Sequence, residues 1–242
     1  MIFVILRSLF SYFLLLLVLL FLGVPCLLML LLPARWRYDN KFYFWFSHIF
    51  YVAALKATLL PITIEGKENI PKEPAIIAAN HQSALDIPLV GSLLNGYPHI
   101  WLATTGLTKT LLAPILHRMA VLVDMTSPQR GLRTLMQAIK IVDGKKRHLV
   151  IFPEGGRDIQ GNRVCKFFSG FVILAQRIKR PVVPVMIFDA YKVYPPGSFL
   201  IHWHPIRVVV GKPFYMQEGE GVEEFRDRVY EWFVQQVKNS EN

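Results

Sequence analysis

Between Arg7 and Arg35 the chain carries no charged residue, and Leu9 to Leu32 is dominated by Leu, Val and Phe. That exceeds the roughly 20 apolar residues needed to cross a bilayer, so the amino terminus is expected in a membrane. A secretory signal peptide closed by Arg7 fits poorly. The apolar run is too long for its hydrophobic region, no A-x-A-like site follows, and aromatic, basic sequence comes directly after. Cys26 follows Pro25 and the apolar run continues past it, which makes it a membrane-embedded thiol rather than a lipidation site. Both a spanning helix and a re-entrant hairpin bent at Gly23-Val24-Pro25 fit the pattern.

Arg35, Arg37 and Lys41 follow the segment and only Arg7 precedes it, a weak positive-inside bias that puts the globular part on the cytoplasmic side. Trp36, Tyr38, Phe42, Tyr43, Phe44, Trp45 and Phe46 form an aromatic cluster of the kind found at headgroup level. Residues 40–60 are therefore expected as a second, interfacial helix ended by Pro61, and packing against the soluble part is compatible with that. The organisation expected is a membrane anchor and interfacial helix over 1–60, then one domain over 61–242.

The net charge of +10, from 27 basic and 17 acidic residues, calls for anionic partners. Nucleic acid is disfavoured beside a membrane anchor, and zinc-ligand spacing, an RNP-like strand and a basic heptad region are all missing from the sequence. Anionic lipid, a phosphorylated substrate or an acidic carrier protein fits better. Cys26 and Cys165 lie in different environments and make no disulfide framework.

From residue 61 onward short apolar runs alternate with helix-like stretches. Strands are expected at Ile62 to Glu65, Ala75 to Ala79, His99 to Ala103, Val121 to Asp124, His148 to Phe152, Val182 to Phe188 and Ile206 to Val210. Helices are expected near 84–94, 108–118, 129–142, 167–179 and from Val222 to Val237. This alternation argues an α/β domain with a largely parallel central sheet flanked by helices.

Two stretches carry chemistry. In Asn80-His81-Gln82-Ser83-Ala84-Leu85-Asp86 a buried-looking strand stops at a histidine, with an aspartate five residues on. Read chemically, His81 is a general base and Asp86 orients it. Read structurally, Ser83 and Asp86 form a capping box at a helix start and His81 is a bonded loop residue. In Phe152-Pro153-Glu154-Gly155-Gly156-Arg157-Asp158 the strand ends at Pro153, and Gly155 and Gly156 let the backbone approach a ligand. Arg157 presents a fork suited to phosphate, while Glu154 either bonds a substrate hydroxyl or anchors the loop. Lys166 and Gly170, at the next helix start, add a cation beside a glycine.

With this order and separation, His81 and Asp86 followed about 70 residues later by Phe152, Pro153, Glu154, Gly155 and Arg157, the chain resembles the glycerolipid acyltransferase family, in particular its bacterial 1-acylglycerol-3-phosphate acyltransferases. The resemblance covers roughly residues 62–215 and includes a Val-Pro-Val strand at Val183, Pro184 and Val185. It implies acyl transfer from an acyl carrier protein or coenzyme A thioester to a lysolipid hydroxyl at the cytoplasmic face of the inner membrane. His81 would be base, Asp86 its orienter, and Glu154, Gly155, Arg157 and Lys166 would bind substrate, with no metal and no cofactor. The oxyanion would meet amides of the 82–84 turn or of the Gly155-Gly156 loop. Relatives carry Gly then Phe-Ile-Asp-Arg in a second motif; here Met119 to Met125 keeps Asp124 but replaces the glycine with Met119 and the arginine with Met125. They also often have Ala-Lys-x-Glu-Leu where this chain has Ala103 to Leu107. Arg157, Lys166, Arg130 or Lys109 is then expected to supply the missing cations, or the acceptor carries another headgroup. His202 and His204 flank Trp203 without a clear third ligand and are read as structural.

Overall fold

The seven apolar runs form seven strands of one sheet: β1 (Ile62–Glu65), β2 (Ile76–Ala79), β3 (His99–Thr104), β4 (Ala120–Val123), β5 (His148–Ile151), β6 (Val182–Phe188) and β7 (Ile206–Val210). Their order is β1-β7-β6-β2-β5-β3-β4. Neighbours run parallel except β6 and β7, which are antiparallel. The structure, a computed structural model, describes residues 1–33, 36, 40–104, 120–124, 127–142, 146–157 and 163–240. Arg35, Arg37, Tyr38, the helix expected at 108–118, residues 105–107, Lys109, Met119, Met125 and Asp158 lie outside them.

Alternation along each central strand divides the core in two, because successive side chains leave opposite faces of a sheet. Ile76 and Ala78 of β2 join Met186 and Phe188 of β6 on one face. Helices α4 (Pro128–Val142), α5 (Gly170–Ile178) and α7 (Val222–Asn239) cover it through residues such as Leu135, Phe171 and Phe225. Ile77 and Ala79 join Val183 and Val185 on the other face, under Leu89 and Leu93 of α3 (Asp86–Leu93) and Tyr51 and Leu55 of α2 (Lys41–Ala57). Gly91 of α3 brings α2 close: a Cβ there would lie 2.5 Å from the Tyr51 ring. A one-turn helix, α6 (Ala190–Val193), follows β6.

The apolar amino terminus is one continuous helix, α1 (Ile2–Met29). The expected bend at Gly23-Val24-Pro25 does not reverse the chain. Instead a single π turn, Leu19–Gly23, precedes the proline, which re-spaces the carbonyls that Pro25 would otherwise clash with or leave unbonded. The reversal comes later, for α1 runs antiparallel to α2. Near its start, Arg7 donates to the carbonyl of Thr58, just past α2, at 2.9 Å; near its end, Leu27 and Met29 pack with Leu30, Tyr43 and Phe44. The aromatic cluster is split by this packing. Tyr43 and Phe44 are buried against the protein, whereas Trp36, Phe42 and Trp45 are more than half exposed.

Candidate active site

Parallel strands bring the two chemical stretches together. In the β2–β5 register Ala78 pairs with Ile151, so three residues further on His81 stands opposite Glu154. The backbone amide of His81 donates to Glu154 Oε2 at 3.3 Å, and Oε1 accepts from the Cys165 amide at 3.2 Å. Glu154 therefore spans two loops. Of the two roles weighed for it, anchoring is the one its contacts display.

His81 Nδ1 lies 2.8 Å from Asp86 Oδ2. The same oxygen accepts from the amides of Gln82 at 2.6 Å and Ser83 at 2.7 Å. The Asp86 side chain is fully buried and that of His81 is 14% exposed. A carboxylate oxygen holding two amide hydrogens accepts from the ring as well, which puts the proton on Nδ1 and leaves Nε2 as an acceptor. The expected capping box forms only in half. Asp86 reaches back to the Ser83 amide, but the helix proper begins at Asp86, and Ser83 Oγ accepts from Leu85 at 3.3 Å while donating to the Tyr194 carbonyl at 2.8 Å. Drawn back to hold His81, Asp86 keeps the preceding residues in turns and delays the helix.

Three features of this centre had no signal in sequence spacing. Asn80, fully buried, accepts from the Ile187 amide at 2.7 Å and donates to the carbonyls of Ile187 at 2.9 Å and Arg163 at 3.0 Å. It pins the end of β2 to β6 and to the segment before α5. The Phe152 ring stacks on the His81 imidazole at 4.0 Å and 12°, and Trp101 stacks on Phe152 at 6.0 Å and 26°. The imidazole is thus held in plane by a ring and in rotation by a carboxylate.

His81, Trp101 and Phe152 line a cavity of about 870 Å³ whose walls are otherwise largely apolar, with Leu132, Leu135 and Phe171 among them. Gly155, Gly156 and Arg157 line it too. Gly155 has φ +76°, and a Cβ there would lie 2.8 Å from the Phe168 ring, so the turn needs glycine on both counts. Lys166 is not brought to this wall. It is exposed on the irregular segment before α5, with its charge felt by Asp227 of α7. The expected helix start near 167 falls at Gly170, which removes the reason for placing Lys166 beside the site. Arg130, on the first turn of α4, lies 3.6 Å from Asp124. Of the amides expected to face an oxyanion, those of Gln82, Ser83 and Gly155 are bonded within the protein, the last to the Phe152 carbonyl at 3.1 Å.

A family model described as acyltransferase matches residues 61–188. The chain belongs to the acyltransferase family. Among its relatives, the 1-acyl-sn-glycerol-3-phosphate acyltransferase of Limnanthes alba is 28% identical over 218 residues, 86% of this chain and 74% of the relative. The protein of that name from Borreliella burgdorferi is 28% identical over 186 residues, 71% and 73% of the two chains. The crystal structure of the 1-acyl-sn-glycerophosphate (LPA) acyltransferase PlsC from Thermotoga maritima superposes with a TM-score of 0.78 at 26% identity, covering 98% of this chain and 97% of that one. In this acyltransferase, then, the apolar cavity and the imidazole at its wall lie within the matched residues, and the amino-terminal helix suggests membrane association.

Proposed function

We propose that this acyltransferase moves a fatty acyl group from a thioester, on acyl carrier protein or coenzyme A, to the sn-2 hydroxyl of 1-acylglycerol-3-phosphate, making phosphatidic acid. The observation that carries this reading is the His81–Asp86 pair, 2.8 Å apart, at the wall of an apolar cavity with room for an acyl chain. Both donors are anionic, as the +10 charge favours, and the names of the relatives support the acceptor.

Nε2 of His81 takes the hydroxyl proton as the oxygen attacks the thioester carbonyl. Asp86 holds the imidazolium that forms. The tetrahedral intermediate collapses, the carbon–sulfur bond breaks, and the proton passes to the departing thiolate. The lysolipid hydroxyl fills the nucleophile's place, so no enzyme serine or cysteine is consumed. With three nearby amides occupied, the Gly156 amide is assigned to the oxyanion, because Gly156 lines the cavity and open space faces its Cα. Arg157 and Arg130 are assigned to the acceptor phosphate. Residues 1–60 anchor the enzyme and 61–242 form the acyltransferase domain at the cytoplasmic face of the inner membrane.

One observation favours a second acceptor. Met125 stands where the motif of the family the chain resembles has an arginine, so a lysolipid with another headgroup competes with the phosphate monoester. Purified enzyme assayed with a panel of lysolipids against both thioesters tests the reading. Preference for 1-acylglycerol-3-phosphate supports it; preference for a lyso-aminolipid or a headgroup-bearing lysophospholipid replaces the acceptor, and inactivity throughout refutes the reading.

A further inference from the structure

From Val193 to Ile206 the chain carries no Asp, Glu, Lys or Arg. Within this connection between α6 and β7, Phe199 is 83% exposed and Trp203 is 62% exposed. Large aromatics standing out of an uncharged surface loop mark a contact with something other than water. The loop is not a loose excursion, since Ile201 at its centre is buried and the His202 amide donates to the Val193 carbonyl at 2.8 Å.

What holds the loop is the membrane helix. The Ile201 amide donates to Ser8 Oγ at 2.9 Å, Arg7 donates to the Ile201 carbonyl at 3.0 Å, and the Tyr12 hydroxyl donates to the Phe199 carbonyl at 2.8 Å. Those contacts use one side of α1; its other side leaves Phe3, Leu6, Leu9 and Phe10 more than half exposed. We infer that residues 194–205 form a second membrane contact, with Phe199 and Trp203 entering the bilayer surface beside α1. The occupant is lipid because the uncharged loop is fastened by these bonds alongside a helix long enough to cross a membrane. Trp203, with a histidine on either side, has the amphipathic character of residues found at headgroup level.

The consequence for catalysis rests on the acyl-transfer reading. Ser83, two residues after His81, donates its hydroxyl to the carbonyl of Tyr194, where the loop begins. The loop thereby fixes the height of the catalytic turn above the bilayer, and a lysolipid presents its hydroxyl to His81 while its chain stays in lipid.

The full chain, reconstituted in phosphatidylcholine vesicles with or without brominated acyl chains, tests this by tryptophan emission. Subtracting the Trp203→Phe spectrum isolates Trp203. The inference expects that component to be quenched by brominated lipid and shielded from aqueous iodide. Quenching by iodide alone would overturn it, as would shielding from both quenchers, which would mean a protein covers the loop. A kinetic arm uses Phe199→Ser combined with Trp203→Ser. The apparent KM for a long-chain acceptor in vesicles should rise about 10-fold, with turnover of a monomeric short-chain acceptor unchanged; equal losses on both would count against the membrane contact. If the wild-type enzyme turns over neither acceptor, the acyl-transfer reading fails, and the emission measurement still decides the loop.

Discussion

At His81 one carboxylate oxygen serves three donors, and that economy explains why Asp86 is both an element of local structure and a partner of the imidazole. The spacing of His81 and Asp86 made their meeting readable, because five residues after a strand end is one tight turn. The Asn80 bridge to Ile187 and the Phe152 ring over the imidazole were not readable, since their partners are set by strand pairing between residues far apart in sequence. Lys166 misled for a related reason: its distance from a helix start depended on a boundary that the segment before Gly170 displaces. Arg157 is the residue whose role separates binding from chemistry. If it grips the acceptor phosphate, Arg157→Ala raises the acceptor KM by roughly one to two orders of magnitude, the loss of a charge-assisted bond of ~1.5–3 kcal/mol, with kcat little changed. Steady-state kinetics on both substrates checks this, and a pure kcat effect would place Arg157 elsewhere.

Among the elements, the packing of α2 on α3 decides how the amino-terminal helices meet the sheet. A valine at position 91 would drive its side chain into the Tyr51 ring, already only 2.5 Å from where a Cβ would begin. Gly91→Val is expected to destabilise the protein by about 1–3 kcal/mol, read as a lower thermal midpoint in detergent, while Gly91→Ala should cost less. The strands themselves were largely readable: β1, β6 and β7 fall where expected and the others within a residue or so at either end. Short, uncharged, β-branched runs between turn residues carry that signal strongly. Elements with little periodicity carry none, and the one-turn helix α6 and the π turn in α1 went unsignalled. The antiparallel course of α1 and α2 followed from neither helix alone. It arises from contacts at both ends, Arg7 with Thr58 and Leu27 with the start of α2.

Over the whole molecule, α1, α2 and α3 cover one face of the sheet, α4, α5 and α7 cover the other, and His81 and Asp86 sit at the carboxyl edge. The opposite edge carries a different device. His99 and His148 lie opposite each other on β3 and β5, and both are held neutral. Burial, opposed in part by the bond to the Tyr97 carbonyl, brings His99 down to about 4, and burial with the nearby Arg180 charge brings His148 to about 4. An unfolded histidine titrates near 6.5. Below that pH the unfolded chain binds protons the folded chain refuses, so stability rises with pH across this window. The expected result is full stability above about pH 6.5 and a decline as the pH falls towards 4, each group contributing up to ~1.4 kcal/mol per pH unit. Urea unfolding in detergent across that range reads the slope, and a stability independent of pH there would contradict it.

The claim on which the rest depends is that His81 Nε2 takes the acceptor proton, and the turnover number of His81→Ala measures it most directly. Assayed with the preferred acceptor and thioester, at equal membrane content and an unchanged thermal midpoint, the variant should lose about 10²–10⁴-fold in kcat or more. Retention of most of the wild-type turnover in a folded, membrane-bound variant would contradict it.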